Sequence, residues 1–403
     1  MDHLKARMAG ALLGVLAAVF AGTSADAGRT DPGTTRPPGL AAQAVVRSSP
    51  HRVELAVPAP VPVLVARSGA EAHTMRIPAV AVTGRGTVVV AYDRRNLSAA
   101  DLPGNIDVQV RRSHDEGRSW SAATTVAAHD GGNTPTTAAG KGDPQLLYDR
   151  ITGRLWLFCI AAPPRIGLFN SSTADTAADP TTVHPRAYWS DDDGTSWSTG
   201  LDLTAAWKPP AATAAFAASG HGLQLEDGTL VVPFAYRAAG VSHAALAYST
   251  DHGRTWRRAG DITSAASEHH LVQLGTHDLF DDAREVPRQG SRIISHTTSI
   301  FTPWTSTRPA GLPDPGNNAD LIQDPAHPGW LLESSTADPT ARRHLTVHVS
   351  RDHGRTWTTA WAVDPAACGY STMTALPSGR LGILYETPQG LVWRTHTLIP
   401  GPA

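Results

Sequence analysis

Lysine is almost missing from this chain. Three of its 403 residues are lysine (Lys5, Lys141 and Lys208), against 31 arginines. A GC-rich bacterial genome produces that bias through arginine codons, so an arginine cluster carries meaning only where several converge in space. A surplus of one charge is missing as well. With 34 Lys+Arg against 36 Asp+Glu, the chain offers no basic surface to nucleic acid or to an anionic membrane. Only two cysteines occur, Cys159 and Cys368, and no Cys/His cluster has the spacing of a zinc site. Cys159 sits in an apolar run and reads as buried filler. The sequence leaves a disulfide between the two open, because pairing depends on geometry. The dipeptide His269-His270 is a poor metal site, since neighbouring side chains on a strand point apart. The acidic stretch 190–197 lacks the alternating D-x-D-x-D-G order of a calcium loop. No metal or other cofactor is expected. Long amphipathic helices are absent, and past residue 20 no run is apolar enough for a membrane span.

The first apolar run has a different character. Lys5 and Arg7 precede residues 8–20 (MAGALLGVLAAVF), and Ala25-Asp26-Ala27 supplies an A-x-A cleavage site. This is the pattern of an export signal over residues 1–27, so a secreted, extracellular protein is expected. Residues 28–62 are rich in Pro, Ala, Thr and Arg without apolar periodicity and read as a flexible leader. The remainder, 63–403, reads as one domain.

That domain contains four copies of S-x-D-x-G-x-[ST]-W: residues 113–120 (SHDEGRSW), 190–197 (SDDDGTSW), 249–256 (STDHGRTW) and 350–357 (SRDHGRTW). Each copy fits a tight turn between strands. Ser and Asp bond turn amides, Gly supplies a positive φ, and Trp fills the space beneath. The motif is the Asp box, and its repetition implies an all-β, six-bladed propeller with one box per blade. The box serines lie 77, 59 and 101 residues apart, and the last gap has room for two blades. Within it, Ile294-Ser295-His296-Thr297-Thr298 marks the expected start of a decayed box without its Asp and Gly. Short β-rich runs bounded by Gly, Pro or Asp agree with this reading: 87–92, 154–160, 229–236, 344–349 and 381–385.

Asp boxes alone do not specify chemistry. Met75-Arg76-Ile77-Pro78 opens the first blade, and an R-I-P tripeptide ahead of an Asp-box propeller resembles the sialidase (neuraminidase) family, with the secreted actinobacterial members most similar. The resemblance covers about residue 76 to 386. It implies an exo-acting glycosidase that removes terminal sialic acid from glycans as a monomer, needing no cofactor. Relatives of different outcome fit the same residues: a trans-sialidase, a hydrolase of another nonulosonic acid, or a catalytically dead sialoglycan-binding propeller.

The chemistry explains which residue types such a site needs. The substrate carries a carboxylate on its anomeric carbon, and three arginines can hold that anion with permanently charged forks. The resemblance assigns them to Arg76, Arg284 and Arg342. Arg284 stands in Asp282-Ala283-Arg284, where the family usually has N-x-R, with Arg288 and Arg292 as the alternatives. Arg343 is the alternative to Arg342, although strand alternation sends it to the opposite face. A carboxylate nucleophile would be repelled by the substrate's own carboxylate, and sialidases use tyrosine instead. Tyr370, in Gly369-Tyr370-Ser371-Thr372, matches that nucleophile. Glu268 matches the base that takes its proton, with the arginines expected to favour the phenolate. Asp101, on a loop rich in Ala, Leu, Pro and Gly, matches the acid/base, whereas Asp93 is expected to pair with a neighbouring arginine in the scaffold. Glu386 matches the residue that orients Arg76, and Asp143 a carboxylate that contacts a ring hydroxyl. Phe216 and apolar residues near Asp143 are candidates for a pocket around the acetamido methyl.

Overall fold

The computed structural model describes residues 61–398, apart from 133, 135, 136 and 138. The expected export signal and nearly all of the leader lie outside the described residues.

Six antiparallel sheets make up this region, and the only helix among the described residues is the single turn Thr204–Trp207. Blade one comprises Thr74–Val82, Val88–Arg95, Ile106–Ser113 and Thr124–Ala127. Blade two is Lys141–Asp149, Arg154–Ala161, His184–Ser190 and Leu201–Asp202, with Gly220–His221 added in parallel along its inner strand. Blade three is Ala212–Ala217, Leu230–Ala238, Val241–Ser249 and Arg257–Ser264, joined by the short strand Leu223–Gln224. Blade four is Ala266–Leu274, Asp278–Glu285, Arg292–Thr297 and Thr305–Thr307. Blade five is Asp320–Gln323, Leu331–Thr336, Arg343–Ser350 and Thr358–Ala367. In blade six, Ser371–Ala375, Leu381–Thr387 and Gly390–His396 are completed by Val63–Arg67 from the start of the domain. The ring is thus closed by hydrogen bonds between its two chain ends. This leaves blade six without a box, because no turn joins its last two strands.

Apolar residues fill each gap between successive blades. Val89 and Val110 meet Leu146 and Leu157 between blades one and two. Trp156 and Phe158 meet Val232 and Phe234 between two and three. Val80 and Val90 meet Leu384 and Trp393 across the closure. Comparable clusters pack blade three on four, four on five, and five on six. Strands buried on both sides explain the near-continuous apolar runs seen in the sequence.

Every intact box follows its blade's third strand, and its Ser, Asp, Gly and Ser/Thr make the same hydrogen bonds. In blade one, the Ser113 hydroxyl accepts the Gly117 N–H at 2.7 Å and donates to Asp115, whose other oxygen receives the Ser119 hydroxyl at 2.5 Å. Positive φ occurs at the box glycine and also at the residue before it (Glu116, Asp193, His252 and His353). The glycine abuts the preceding blade. A Cβ on Gly253 would lie 2.1 Å from Trp156 of blade two, and one on Gly117 would lie 2.0 Å from Trp393 of blade six.

The decayed box begins three residues later than the sequence led us to expect. Thr297, the last residue of its strand, occupies the serine position, so the register is Thr297-Thr298-Ser299-Ile300-Phe301-Thr302-Pro303-Trp304. The tryptophan persists as Trp304, which packs on the cluster between blades three and four. Serine stands for Asp and phenylalanine for Gly, and neither Ile300 nor Phe301 adopts positive φ. The local pattern missed this register because only Trp304 preserves the consensus.

The box glycines allow a direct stability test. Gly253→Ala meets both an unfavourable φ and the Trp156 ring, and should lower unfolding stability by about 3 kcal/mol or more. Gly240→Ala has a similar φ of 81° but open space, and should lose only about 1 kcal/mol. Equal denaturant midpoints for the two variants would show that the glycine contact does not matter.

Candidate active site

Antiparallel alternation puts the start of each first strand, the end of each second strand and the start of each third strand on one face of the ring. Arg76 and Glu268 belong to first strands, Arg284 to the end of a second, and Arg342 directly precedes a third. The boxes, which follow third strands, therefore lie on the opposite face.

Several of these residues sit at breaks in strand register. Ile77 (φ 57°) and Asp143 (φ 56°) each precede a proline, and each lies where its strand bulges, between Arg76 and Ala79 and between Gly142 and Gln145. Arg76-Ile77-Pro78 and Gly142-Asp143-Pro144 are thus corresponding devices in adjacent blades. Glu268 lies in a third register break, between Ala266 and His269. A bulge re-aims a side chain that regular pleating would bury between blades.

The centre of the site is Tyr370, 5% exposed. Its hydroxyl donates to Glu268 and accepts from Arg284 Nη1 at 2.8 Å, while the same guanidinium nitrogen reaches the other Glu268 oxygen at 2.5 Å. Arg76 and Arg342 each place a guanidinium carbon 5.3 Å from the centre of the Tyr370 ring. The three arginines picked out in the sequence therefore converge on one phenol. Glu386 holds Arg76 through two bonds of 3.2 Å and also accepts the backbone N–H groups of Ile77 and Tyr370. One carboxylate thereby fixes an arginine and the tyrosine backbone together. A cleft of about 280 Å³ opens beside Arg76, Arg342 and Glu386.

The electrostatics depart from the sequence expectation in one respect. Burial and the negative charge of Glu268 push the Tyr370 phenol above its ordinary pKa, and the opposing pull of Arg284, Arg342 and Arg76 does not offset them. Without a bound ligand the tyrosine is a firmly held phenol, not a phenolate. Burial would raise the Glu268 pKa, but Arg284, the Tyr370 hydroxyl and Arg342 outweigh it and hold the carboxyl below its ordinary value. Glu268 is consequently charged and ready to accept a proton.

Asp101 and Asp93 separate clearly. Asp93 is buried, bonded by the Arg95 guanidinium at 3.0 and 3.2 Å and by the Asp143 N–H at 2.9 Å. Burial, only partly countered by Arg95, lifts its pKa to about 6. The Asp101 side chain is 77% exposed on the loop between two strands, with one oxygen 2.7 Å from Arg95 and 3.9 Å from Arg76. Leu102, the next residue, packs on the apolar cluster that contains Phe216. Asp143 shares this region. Burial and the neighbouring Asp93 and Asp101 charges raise its pKa well above the carboxylate norm.

The alternatives fall elsewhere. Arg343 turns away to Asp338 at 2.6 Å. Arg292 is fully buried and neutralises Asp282 at 2.8 Å and Asp314 at 3.2 Å, which accounts for Asp282 where the resemblance predicts Asn. Arg288 packs against Gly316 and is not among the arginines that touch the phenol. Cys159 and Cys368 are both buried free thiols. His269 and His270 do point apart, to Asp281 and to Asp320 respectively.

Sequence reasoning missed two supports. Arg95 links Asp93 to Asp101, and only strand alternation in Tyr92-Asp93-Arg94-Arg95 signals that it shares a face with Asp93. Asp320 bonds His221 at 2.8 Å with one oxygen, and with the other accepts the Met373 N–H and the Thr372 hydroxyl. It thereby pins the strand that starts directly after Tyr370. No local motif marks that role.

Comparison with known proteins gives the family. Residues 95–383 match the family model of the BNR repeat-like domain. The chain belongs to the BNR-repeat sialidase family. It is 34% identical over 385 residues to a sialidase of Micromonospora viridifaciens, covering 90% of this chain and 58% of that protein. The Hadza microbial sialidase Hz136 superposes with a TM-score of 0.73 at 28% identity, over 82% of this chain and 66% of that one. An intramolecular trans-sialidase from Ruminococcus gnavus, at TM-score 0.72 and 18% identity, covers 83% of this chain and 97% of that one and shares the fold. The chain spans about 58% of the length of the Micromonospora relative. These homologues are named sialidases, a class of glycoside hydrolase.

Replacing Glu268 should move the Tyr370 titration in a defined direction. In Glu268→Gln the negative neighbour is gone, so Tyr370 should ionise at lower pH than in the unmodified protein. Ultraviolet difference titration against a Tyr370→Phe reference reads this shift, and an unchanged or higher value would contradict the electrostatics above.

Proposed function

We propose that the protein is a secreted, retaining exo-α-sialidase that hydrolyses terminal sialic acids of glycoconjugates through a tyrosine-linked intermediate. The observation that carries this reading is the Tyr370 hydroxyl held between the Glu268 carboxylate and Arg284, with Arg76 and Arg342 flanking the ring. A lectin has no use for a buried phenol hydrogen-bonded to a charged base.

The steps follow from the groups present. The three arginines take the substrate carboxylate, which places the anomeric carbon near the Tyr370 oxygen. Asp101 donates a proton to the leaving oxygen as the glycosidic bond breaks. The Tyr370 oxygen bonds to the anomeric carbon while its proton passes to Glu268. Because the free phenol is hard to ionise, proton loss and attack belong to one event. Asp101, now a carboxylate, then takes a proton from water that attacks the same carbon. Tyr370 leaves and recovers its proton from Glu268, so the sugar keeps its anomeric configuration. Asp143 lies in the same region as Asp101, where its carboxyl can bond a ring hydroxyl.

Tyr370→Phe removes only the phenolic oxygen. It should reduce kcat on a natural sialoside by about 10³-fold or more with an unchanged thermal midpoint. Near-normal turnover in that variant would eliminate the nucleophile assignment. Product analysis by proton NMR distinguishes the outcomes: free sialic acid of retained configuration is expected, and an anhydro sugar or transfer product would replace hydrolysis with a transferase reading.

Asp101 and Asp93 are separated by leaving-group dependence. Asp101→Ala should slow sialyllactose cleavage by about 10²- to 10⁴-fold while sparing an activated aryl sialoside, which needs little protonation. Asp93→Ala, which removes the partner of buried Arg95, should lower stability and affect both substrates alike. The reverse pattern would transfer the acid role to Asp93.

A further inference from the structure

In the fourth blade a cleft lies beside the decayed box. In each intact box the glycine lets the turn seat against the preceding blade: Gly117 on Trp393, Gly194 on Val89, Gly253 on Trp156 and Gly354 on Ile294. Phe301 takes that place in blade four. Its ring meets Tyr248 of blade three edge-on, with centroids 5.1 Å apart, and remains 65% exposed. Beside it a cleft of about 540 Å³ opens between blades three and four, within the roughly 300–1,000 Å³ of small-molecule sites. The blade-three turn at Glu226-Asp227 forms one wall, and Gln273, His277, Ser299 and Phe301 form the other. It lies on the box face, away from Tyr370.

The lining selects a ligand chemistry. No Lys or Arg contributes to the cleft, while Glu226 and Asp227 do, so a carboxylate- or phosphate-bearing ligand is disfavoured. Carboxylate, amide, imidazole and hydroxyl groups can exchange hydrogen bonds with a polyol. The exposed face of Phe301, braced by Tyr248, offers the flat apolar surface on which a pyranose ring can lie. We propose that this cleft is a second carbohydrate site, specific for a neutral saccharide and separate from the arginine-lined site. Phenylalanine at the box-glycine position supplies its aromatic wall.

The test is isothermal titration calorimetry of the full chain with lactose, N-acetyllactosamine, maltose and cellobiose. At least one of them should bind with unit stoichiometry. Phe301→Ala should weaken that affinity by about tenfold, the scale of losing an aromatic contact, without changing turnover of an aryl sialoside. Phe301→Gly, which restores the box residue, should weaken it equally, and Arg284→Ala should leave it intact. Absence of binding by all four sugars, binding indifferent to Phe301, or binding lost in Arg284→Ala would each overturn the proposal. These readouts do not depend on the reaction, so they stand apart from the test of Tyr370.

Discussion

Three guanidinium groups gathered around one buried phenol repel one another, and this repulsion must be balanced before anything else about the site can hold. Two carboxylates do so. Glu268 meets Arg284 at 2.5 Å, and Glu386 grips Arg76 while receiving the backbone of Ile77 and Tyr370. Arg342 is steadied by a neutral acceptor, the Gly316 carbonyl at 2.9 Å. The geometry of the three guanidinium groups is already set, so an incoming anion meets charge that requires little reorganisation. The same balance settles the resting protonation. Glu268, drawn down by the arginines, stays ionised, and the phenol beside it stays neutral because burial and that neighbouring charge both oppose its ionisation.

The propeller supplies these groups by interrupting its own regularity. A strand buried on both sides has no direction in which to aim a polar side chain. The bulges at Ile77, Asp143 and Glu268 create that direction where the first strands begin. The apolar clusters between blades hold the frame around these breaks. Behind the site lies a second tier of buried charge: Asp93 with Arg95, Asp282 with Arg292, and Asp320 with His221. Each pair is desolvated, so removing one member would leave an uncompensated charge in the interior.

How much of this can be read from the chain varies with the range of the interaction. The boxes are local, each a complete hydrogen-bonded turn within eight residues, and they carry the architecture. Strands that follow D-G or S-G turns are local too. Arg76, Glu268, Tyr370 and Glu386 became legible through motif context, and the geometry brings them together. Arg95 and Asp320 stayed hidden because their partners are fixed only by folding: Asp320 acts on residues 372 and 373, about 50 positions away. The fourth box was placed three residues early for a related reason, since only its Trp304 retained the consensus. The direction of the Tyr370 shift was also beyond the sequence, because it turns on how far burial outweighs three favourable charges.

The joint that closes the ring acquires a further meaning from where the ligand would sit. Every neighbouring pair of blades is joined by the chain, six to one through Val63–Arg67, but blade six is itself assembled from both ends of the domain, where Val63–Arg67 pairs with Gly390–His396. Arg76 lies on one side of that seam, and Glu386 and Tyr370 on the other. An anion bridging the arginines therefore ties together segments from the two ends of the domain, which otherwise meet only through hydrogen bonds and packing. Occupancy and ring integrity become a single equilibrium: whatever loosens the terminal strand weakens the grip on the ligand, and a bound ligand resists the parting of the two ends.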